Sequence, residues 1–230
     1  MSPLPSPRDP FATPPLAPAP PAALRDPAPL DAGRALAWEP GDEPWENVEA
    51  VGLDLSGRNL RELEVAGARL AGCRLAGCDL TGAVLSDVAF ERCDLSNAVL
   101  DRAALTRCTF QDCKLTGASL MEAGLESVAM ADCSCGLAGL NQARLWAFSA
   151  RTCDFSGADV SEATLRHVVL DDVRLAGTSL FRTPLSGVDL TRCSLEGIVL
   201  SDALGEVRGA KMDLYQAAGL ARHLGVIIQE

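Results

Sequence analysis

The amino-acid sequence predicts a four-sided solenoid, and two periodicities between Val51 and Ser201 support this prediction. First, every residue whose number is divisible by five from Leu55 to Leu200 is apolar, and we call these residues centres. A helix repeats its apolar face about every 3.6 residues and a strand every second residue, so a five-residue period fits neither. It is typical of a solenoid in which each five-residue unit forms one side of a coil.

Second, a twenty-residue period sets the number of sides. Small or medium side chains stand two residues before most centres, and we call these sites pre-centre positions. Within them, cysteines recur at intervals of twenty residues: Cys73, Cys93, Cys113, Cys133, Cys153 and, after Val173, Cys193. Twenty residues contain four units of five, so we expect four sides per coil.

Two of the centres are small, namely Cys135 and Ala150. Because a protein interior is close-packed, we expect a bulky neighbour to fill the volume that each of them leaves. Phe148 stands in a column otherwise filled by smaller side chains and is expected to compensate for Ala150. Leu137 is expected to do the same for Cys135.

Several five-residue units resemble those of the pentapeptide repeat family: Ala76–Leu80 (AGCDL), Ser96–Leu100 (SNAVL) and Ser156–Val160 (SGADV). The resemblance covers residues 51–201 without a break in register. It implies an all-β fold, a right-handed, four-sided parallel β-helix. Parallel strands stack about 4.8 Å apart, so about eight coils would form a rod of about 35–40 Å.

The chain divides into three predicted parts. Residues 1–44 hold 13 of the 14 prolines, and such a segment cannot form a packed core, so we expect a disordered tail with polyproline II bias. Its role is either a solubilising leader or a ligand for a proline-binding domain. Residues 45–203 are the predicted β-helix, with Trp45 covering its open first coil, since an uncapped solenoid would expose its core.

Residues 204–230 are predicted to form a C-terminal helix and a short strand. Asp213 is a suitable N-cap and Gly225 a suitable stop, while residues 226–228 form an apolar run. The helix is expected to cap the last coil or, as the resemblance implies, to pair two rods into a homodimer. Its apolar residues at helical spacing are Leu214, Ala217, Ala218, Ala221 and Leu224.

The nine cysteines do not predict a metal site or a disulfide framework. Eight of them fall at pre-centre positions, where the alternatives are Ala and Val, so each is interpreted as a small buried hydrophobe. The two histidines, His167 and His223, have no nucleophile or catalytic motif nearby in sequence. We therefore expect no catalytic residue, no cofactor and no metal. The absence of a secretory leader pattern or an apolar span predicts a cytoplasmic protein without membrane contact.

Charge bears on one function that the resemblance implies. Quinolone-resistance members of the family resemble double-stranded DNA in size and charge and bind DNA gyrase. Residues 51–203 carry 20 acidic and 14 basic side chains, whereas a faithful mimic of this length needs on the order of 20 net negative charges. In one outward column, Asp54, Arg74, Asp94 and Lys114 alternate in sign, which predicts a ladder of ion pairs. No basic stripe predicts direct nucleic-acid binding.

Three outward apolar residues are candidates for a partner surface: Met121, Trp146 and Phe181. Each stands directly after a centre, where the chain usually places a small or polar residue. Single exposed apolar residues are also common without any function. The sequence thus predicts a non-catalytic rod or scaffold that binds another protein, with a DNA mimic acting on gyrase or another type II topoisomerase as the alternative. It does not identify the partner.

Overall fold

The structure is a computed structural model, and it describes residues 21–22, 24, 27–30, 32–223 and 225–227. Residues 1–20, which form most of the predicted disordered tail, lie outside the described residues. The elements, in chain order, are β1 (Ala28–Pro29), α1 (Ala32–Ala37), β2 (Trp45–Val51), β3 (Glu64–Ala71), β4 (Val84–Glu91), β5 (Ala104–Thr106), β6 (Thr109–Gln111), β7 (Gly124–Glu126), β8 (Ala129–Ala131), β9 (Arg144–Trp146), β10 (Ser149–Arg151), β11 (Thr164–Arg166), β12 (Val169–Asp171), a 3-10 helix (Gly205–Val207) and α2 (Leu214–His223).

The chain forms a four-sided parallel β-helix, as the two periods predict. We number the sides by the centre that begins each column: side 1 from Leu55, side 2 from Leu60, side 3 from Val65 and side 4 from Leu70. Sides 3 and 4 hold the strands of one parallel sheet, and from β2 onward their partners lie 20 residues apart, as in Leu105 and Leu125. Sides 1 and 2 stack through single bridges with the same spacing.

The core is a continuous column of centres and pre-centre residues, almost all of them buried. Phe90 and Phe110 stack in it with ring centroids 4.7 Å apart. Phe148 and Ala150 are both buried, as their predicted volume exchange requires. Leu137 is 69% exposed, so its predicted compensation for Cys135 is wrong. It stands at a corner and points outward, and a cavity of about 10 Å³ remains beside Cys135.

The pre-centre side chains have a second role that their small size does not reveal. The Cys93 thiol donates to the carbonyl of Leu70 at 3.2 Å, and the buried Thr178 hydroxyl donates to the carbonyl of Phe155 at 2.8 Å. Both bonds connect a pre-centre residue to the centre 23 residues earlier. The described cysteines are all free and buried, and burial raises the pKa of Cys108 to about 11. Because every one of them is shielded from solvent, they are inert polar members of a packed core.

The corners explain the outward glycines. Almost all residues two positions after a centre adopt positive φ, as at Asn97 (φ 55°) and Gly157 (φ 67°). Gly157 has an additional constraint, since a Cβ there would stand 2.9 Å from Cδ2 of Leu137. Glycine tolerates such dihedrals without strain and leaves room for the side chain of the coil before it.

The structured region begins before the expected boundary at residue 44. Helix α1 and the buried Trp38 form a cap, and β1 pairs with the outer edge of β2. Trp45 is also buried, so it belongs to the first coil and is covered by this cap. Arg58, the one charged pre-centre residue, donates a side-chain hydrogen bond to the Leu36 carbonyl of α1. The apolar surface of Trp38 and Ala35 makes this proline-containing segment fold.

The β-helix also extends beyond the expected boundary at residue 203. The Leu185 amide donates to the Glu206 carbonyl at 2.8 Å, and Asp189 forms a parallel bridge with Lys211. The spacing of this last bridge is 22 residues instead of 20, because the loop after Ser201 is longer. Because of these two extra residues, a search for a five-residue period does not detect that the chain pairs with the coil again after residue 203.

Helix α2 follows and packs on the end of the rod through one side. Asp213 caps it as predicted, because its carboxylate accepts the Gln216 amide at 2.8 Å, and the Gly225 amide closes its end on the Arg222 carbonyl. The Gln216 side chain donates to the carbonyls of Leu190 (2.7 Å) and Cys193 (2.8 Å). Residues 226 and 227 are not part of a strand, whereas the prediction placed a strand at residues 226–228. Leu224 and residue 228 lie outside the described residues.

Candidate protein-interaction site

A cleft of about 600 Å³ opens the β-helix on sides 3 and 4 near its C-terminal end. Residues 165–170, which include parts of β11 and β12, form its lower wall. Residues 186–192 of the next coil form most of its upper wall, together with Lys211. We call this feature the coil cleft.

The coil cleft exists because the backbone ladder stops there. In the preceding coil, the amides of Ala147 and Thr152 donate to the carbonyls of Arg166 (3.0 Å) and Asp171 (2.9 Å). Within the described residues, the corresponding amides of His167 and Asp172 donate to no carbonyl of the next coil. Strands β11 and β12 are accordingly the edges of the sheet.

Pro184 removes one further hydrogen bond, the one that an amide at this position would donate to the Ala163 carbonyl. Its counterpart twenty residues earlier, Thr164, donates its amide to the Ala143 carbonyl at 2.9 Å, whereas proline has no N–H. The upper coil is held from its other side, where Leu185, Gly187 and Leu190 donate to residues 206–211. On sides 1 and 2 the two coils remain hydrogen-bonded to each other. The Leu175 amide, for example, donates to the Ser194 carbonyl at 2.9 Å. The coils therefore separate on two sides only.

The buried carboxylate of Glu206 holds the upper coil in this position. It accepts the amides of Arg182 (2.9 Å) and Ser201 (3.0 Å) and the Ser201 hydroxyl (2.8 Å). Burial alone would raise the pKa of Glu206, but these hydrogen bonds outweigh it and the pKa lies below its ordinary value. Glu206 is thus an ionised carboxylate that links Arg182 and Ser201 at the end of the rod.

The walls of the coil cleft combine apolar and charged groups. Leu165 and Leu170 are only partly buried, unlike the centres Leu145 and Ala150 one coil earlier. The Thr191 hydroxyl and amide, with help from Lys211, hold the pKa of Asp189 below its ordinary value. An unsatisfied backbone edge beside partly exposed apolar side chains is the arrangement to which an extended chain adds as a new strand.

Trp146 lies beside the coil cleft, one coil below its lower wall. It is 46% exposed, and its ring meets the His167 ring edge-on at 5.4 Å between centroids. Phe181 and Met121 are exposed on side 2, three coils apart, and Arg182 covers the Phe181 ring at 4.9 Å. The structure therefore brings Trp146 to the cleft and leaves the two other predicted residues on a different side.

The predicted ladder of ion pairs is present on side 1 at Asp54–Arg74 (3.2 Å) and Asp154–Arg174 (3.6 Å). Further cross-coil pairs occur on the other sides, such as Arg107–Asp87 at 2.5 Å on side 3. Counting each corner with the centre before it, the 20 acidic residues of 51–203 distribute as 4, 7, 3 and 6 over sides 1 to 4. Basic residues accompany them on every side, so no side is purely acidic.

The predicted C-terminal residues divide between two faces of α2. Ala218 and Ala221 are partly buried near the coil, while Leu214 and Ala217 point into solvent. Tyr215 and Ile227 add to this exposed surface, with 86% and 88% of their area accessible. Helix α2 therefore caps the rod through one face and presents an apolar second face.

The geometry first defines the class of protein: a filled parallel β-solenoid with two capped ends and a cleft that opens two of its sides. Within the described residues, no helix is long and apolar enough to cross a bilayer. Family profiles then identify the repeat. The profile described as pentapeptide repeat region matches residues 83–149, and the profile for eight copies of pentapeptide repeats matches residues 51–87 and 151–187. The chain belongs to the pentapeptide repeat family.

Solved structures of the same fold show low identity to this chain. HetL from the cyanobacterium Nostoc sp. strain PCC 7120, a pentapeptide repeat protein involved in heterocyst differentiation regulation, is 21% identical, with 74% of this chain and 90% of HetL covered and a TM-score of 0.46. The fluoroquinolone resistance protein QnrB1 is 21% identical over 79% and 89%, with a TM-score of 0.42. No curated protein matches the sequence. Function does not follow from a shared fold at this level.

Proposed function

We propose that this chain is a non-catalytic interaction rod that binds an extended segment of a partner protein in the coil cleft. The observation that supports this function is the loss of ladder hydrogen bonds between residues 164–172 and residues 184–192. In this proposal the central rod is a scaffold, and the segments before and after it are its end caps and contact elements.

Strand addition explains how the cleft would gain affinity. An extended segment placed beside β11 and β12 would accept hydrogen bonds from the amides of His167 and Asp172, which have no partner in the ladder. Main-chain hydrogen bonds then supply affinity, and the pockets for alternate side chains supply specificity. Leu165 and Leu170 offer such apolar contacts, and Trp146 extends the surface by one coil.

The test selects binders from a library of random extended peptides displayed on phage, with the full chain as bait. Ser186→Trp should block binding because residue 186 lines the cleft, whereas Ser86→Trp, in the same column of a closed coil, should leave it intact. Bound peptide should also slow amide exchange at His167. Selected peptides that bind both variants equally, without this protection, would contradict the proposal.

A homodimer through α2 is a second candidate, supported by the exposed apolar face that includes Leu214 and Tyr215. Sedimentation equilibrium of the full chain tests it. A dimer that dissociates in Leu214→Glu, and persists in the control Gln142→Glu on side 2, would support this role. A monomer at all protein concentrations would exclude it.

The DNA-mimic alternative receives little support from the charge distribution, since acidic residues occur on all four sides and many are paired with arginine. Titration of the full chain into a gyrase supercoiling reaction at two salt concentrations tests it. We expect no inhibition at either. Inhibition that weakens as salt rises would revive the mimic hypothesis, because screening reduces electrostatic binding.

A further inference from the structure

We propose that the occupant of the coil cleft in the free protein is the proline-rich segment at residues 1–20 of the same chain. This inference rests on the proposed function, since it assigns a competitor to the same site. Its consequence is that a partner must displace the N-terminal segment before it binds.

The described part of the N-terminal segment runs toward the cleft. Ala28 pairs with Val48 in the first coil. Leu24 then lies one coil higher, where its Cδ2 would stand 3.2 Å from a Cβ on Gly67. Two residues further toward the N-terminus, the Ala22 amide donates to the Asp87 carboxylate at 2.8 Å, another coil higher.

These contacts follow one corner of the rod, and the same corner leads to the coil cleft. The corner column contains Gly67 and Asp87 and continues, twenty residues at a time, to His167 and Gly187 in the two walls of the cleft. Between them stand Arg107, which is bonded to Asp87, and then the small side chains Ser127 and Ala147. After Arg107 the corner positions themselves carry small side chains as far as His167, where the Trp146 ring flanks the path.

The length of the segment is sufficient. From Asp87 to His167 is four coils, or about 19 Å at about 4.8 Å per coil. A polyproline II chain advances about 3.1 Å per residue, so about six residues cover this distance. The 20 residues that precede Pro21 therefore reach the cleft with more than half of their length left to occupy it.

The chemistry of the segment matches the lower wall. The edge of β11 and β12 offers unpaired amide donors, at His167 and Asp172 among others. Residues 1–20 contain eight prolines, each with a carbonyl acceptor and no N–H. Proline-rich segments also dock on exposed aromatic rings, and Trp146 presents one next to His167. An edge rich in donors thus faces a segment rich in acceptors.

The first test is amide hydrogen exchange by NMR in the full chain and in a variant with the eight prolines of residues 1–20 replaced by glycine. We expect the amides of His167 and Asp172 to exchange at least tenfold more slowly in the natural chain, at a ratio independent of protein concentration. The amides of Ala147 and Thr152, whose ladder bonds are intact, are the matched controls and should not change. Equal rates in the two chains would overturn the inference, and protection that grows with concentration would overturn it in favour of a second copy.

A second measurement separates this inference from the proposed function. A cleft-binding peptide selected as above should bind the glycine variant about tenfold more tightly than the natural chain, because occupancy by the segment reduces apparent affinity by the fraction of free sites. Equal binding to both chains would overturn the inference alone. If no selected peptide binds the cleft of either chain, the proposed function fails as well. Acrylamide quenching of Trp146, the single exposed tryptophan, should increase in the glycine variant.

Discussion

Replacement of Glu206 by alanine should loosen the C-terminal end of the rod more than any other change of a single charge there. Its carboxylate accepts two backbone amides, from Arg182 and Ser201, and one hydroxyl. Each buried donor left without an acceptor costs about 1–3 kcal/mol, so Glu206→Ala should lower the free energy of unfolding by about 3 kcal/mol. Glu206→Gln keeps one acceptor oxygen and should lose about 1 kcal/mol.

The pH dependence of this loss has a defined sign. Because the pKa of Glu206 is lowered in the folded state, its ionised form stabilises the protein above the pKa of the unfolded chain, and this contribution disappears as pH falls through the folded pKa. Urea denaturation of the full chain at pH 7 and at successively lower pH measures it, with amide exchange at Arg182 and Ser201 as the local readout. The exposed Glu196 in the same coil is the matched control. A Glu196→Ala variant that loses as much stability, or a Glu206→Ala difference that does not shrink in acid, would refute this reasoning.

Three further predictions concern the core, the thiols and the C-terminal cap. Phe148→Ala should cost about 3–5 kcal/mol in denaturation, and adding Ala150→Leu should recover part of it, because the two side chains share one buried volume. Ellman's reagent at pH 8 should label none of the nine thiols before unfolding, since all nine are buried and out of reach of the reagent. Gln216→Ala should speed amide exchange throughout α2, because it removes two hydrogen bonds to the last coil.

The fold was predictable because the inward pattern is nearly unbroken. A centre such as Leu95 and a pre-centre residue such as Cys93 are buried in every coil regardless of what stands outside. The ends were less predictable because their caps use other rules. Helix α1 lies outside the repeats. The apolar surface that it buries at the end of the rod is supplied together with Trp38, an isolated aromatic residue in a proline-rich context. No sequence pattern indicated the structural role of Glu206, since its partners are two backbone amides and one hydroxyl.

The candidate site was predicted only at its margin, through Trp146. The coil cleft itself follows from the backbone, through the missing N–H of Pro184 and the pairing of the upper coil with residues 206–211, which no side-chain period detects. The neighbouring core residues Thr183, Leu185 and Val188 keep the pattern and are buried, so the sequence predicts a closed coil there. A signal was nonetheless present, because Pro184 is the single proline between residues 45 and 230.

The position of this proline determines what it does. At a corner or a centre, a proline would disturb the path of the chain, but Pro184 stands one residue before a centre, where the amide normally donates to the coil before it. The backbone of the upper coil therefore keeps its course and bonds to residues 206–211 instead. The solenoid is capped at both ends, but β11 and β12 remain as open sheet edges on sides 3 and 4. In a fold whose interior is filled by its own side chains, such an edge is an element that can recognise another chain.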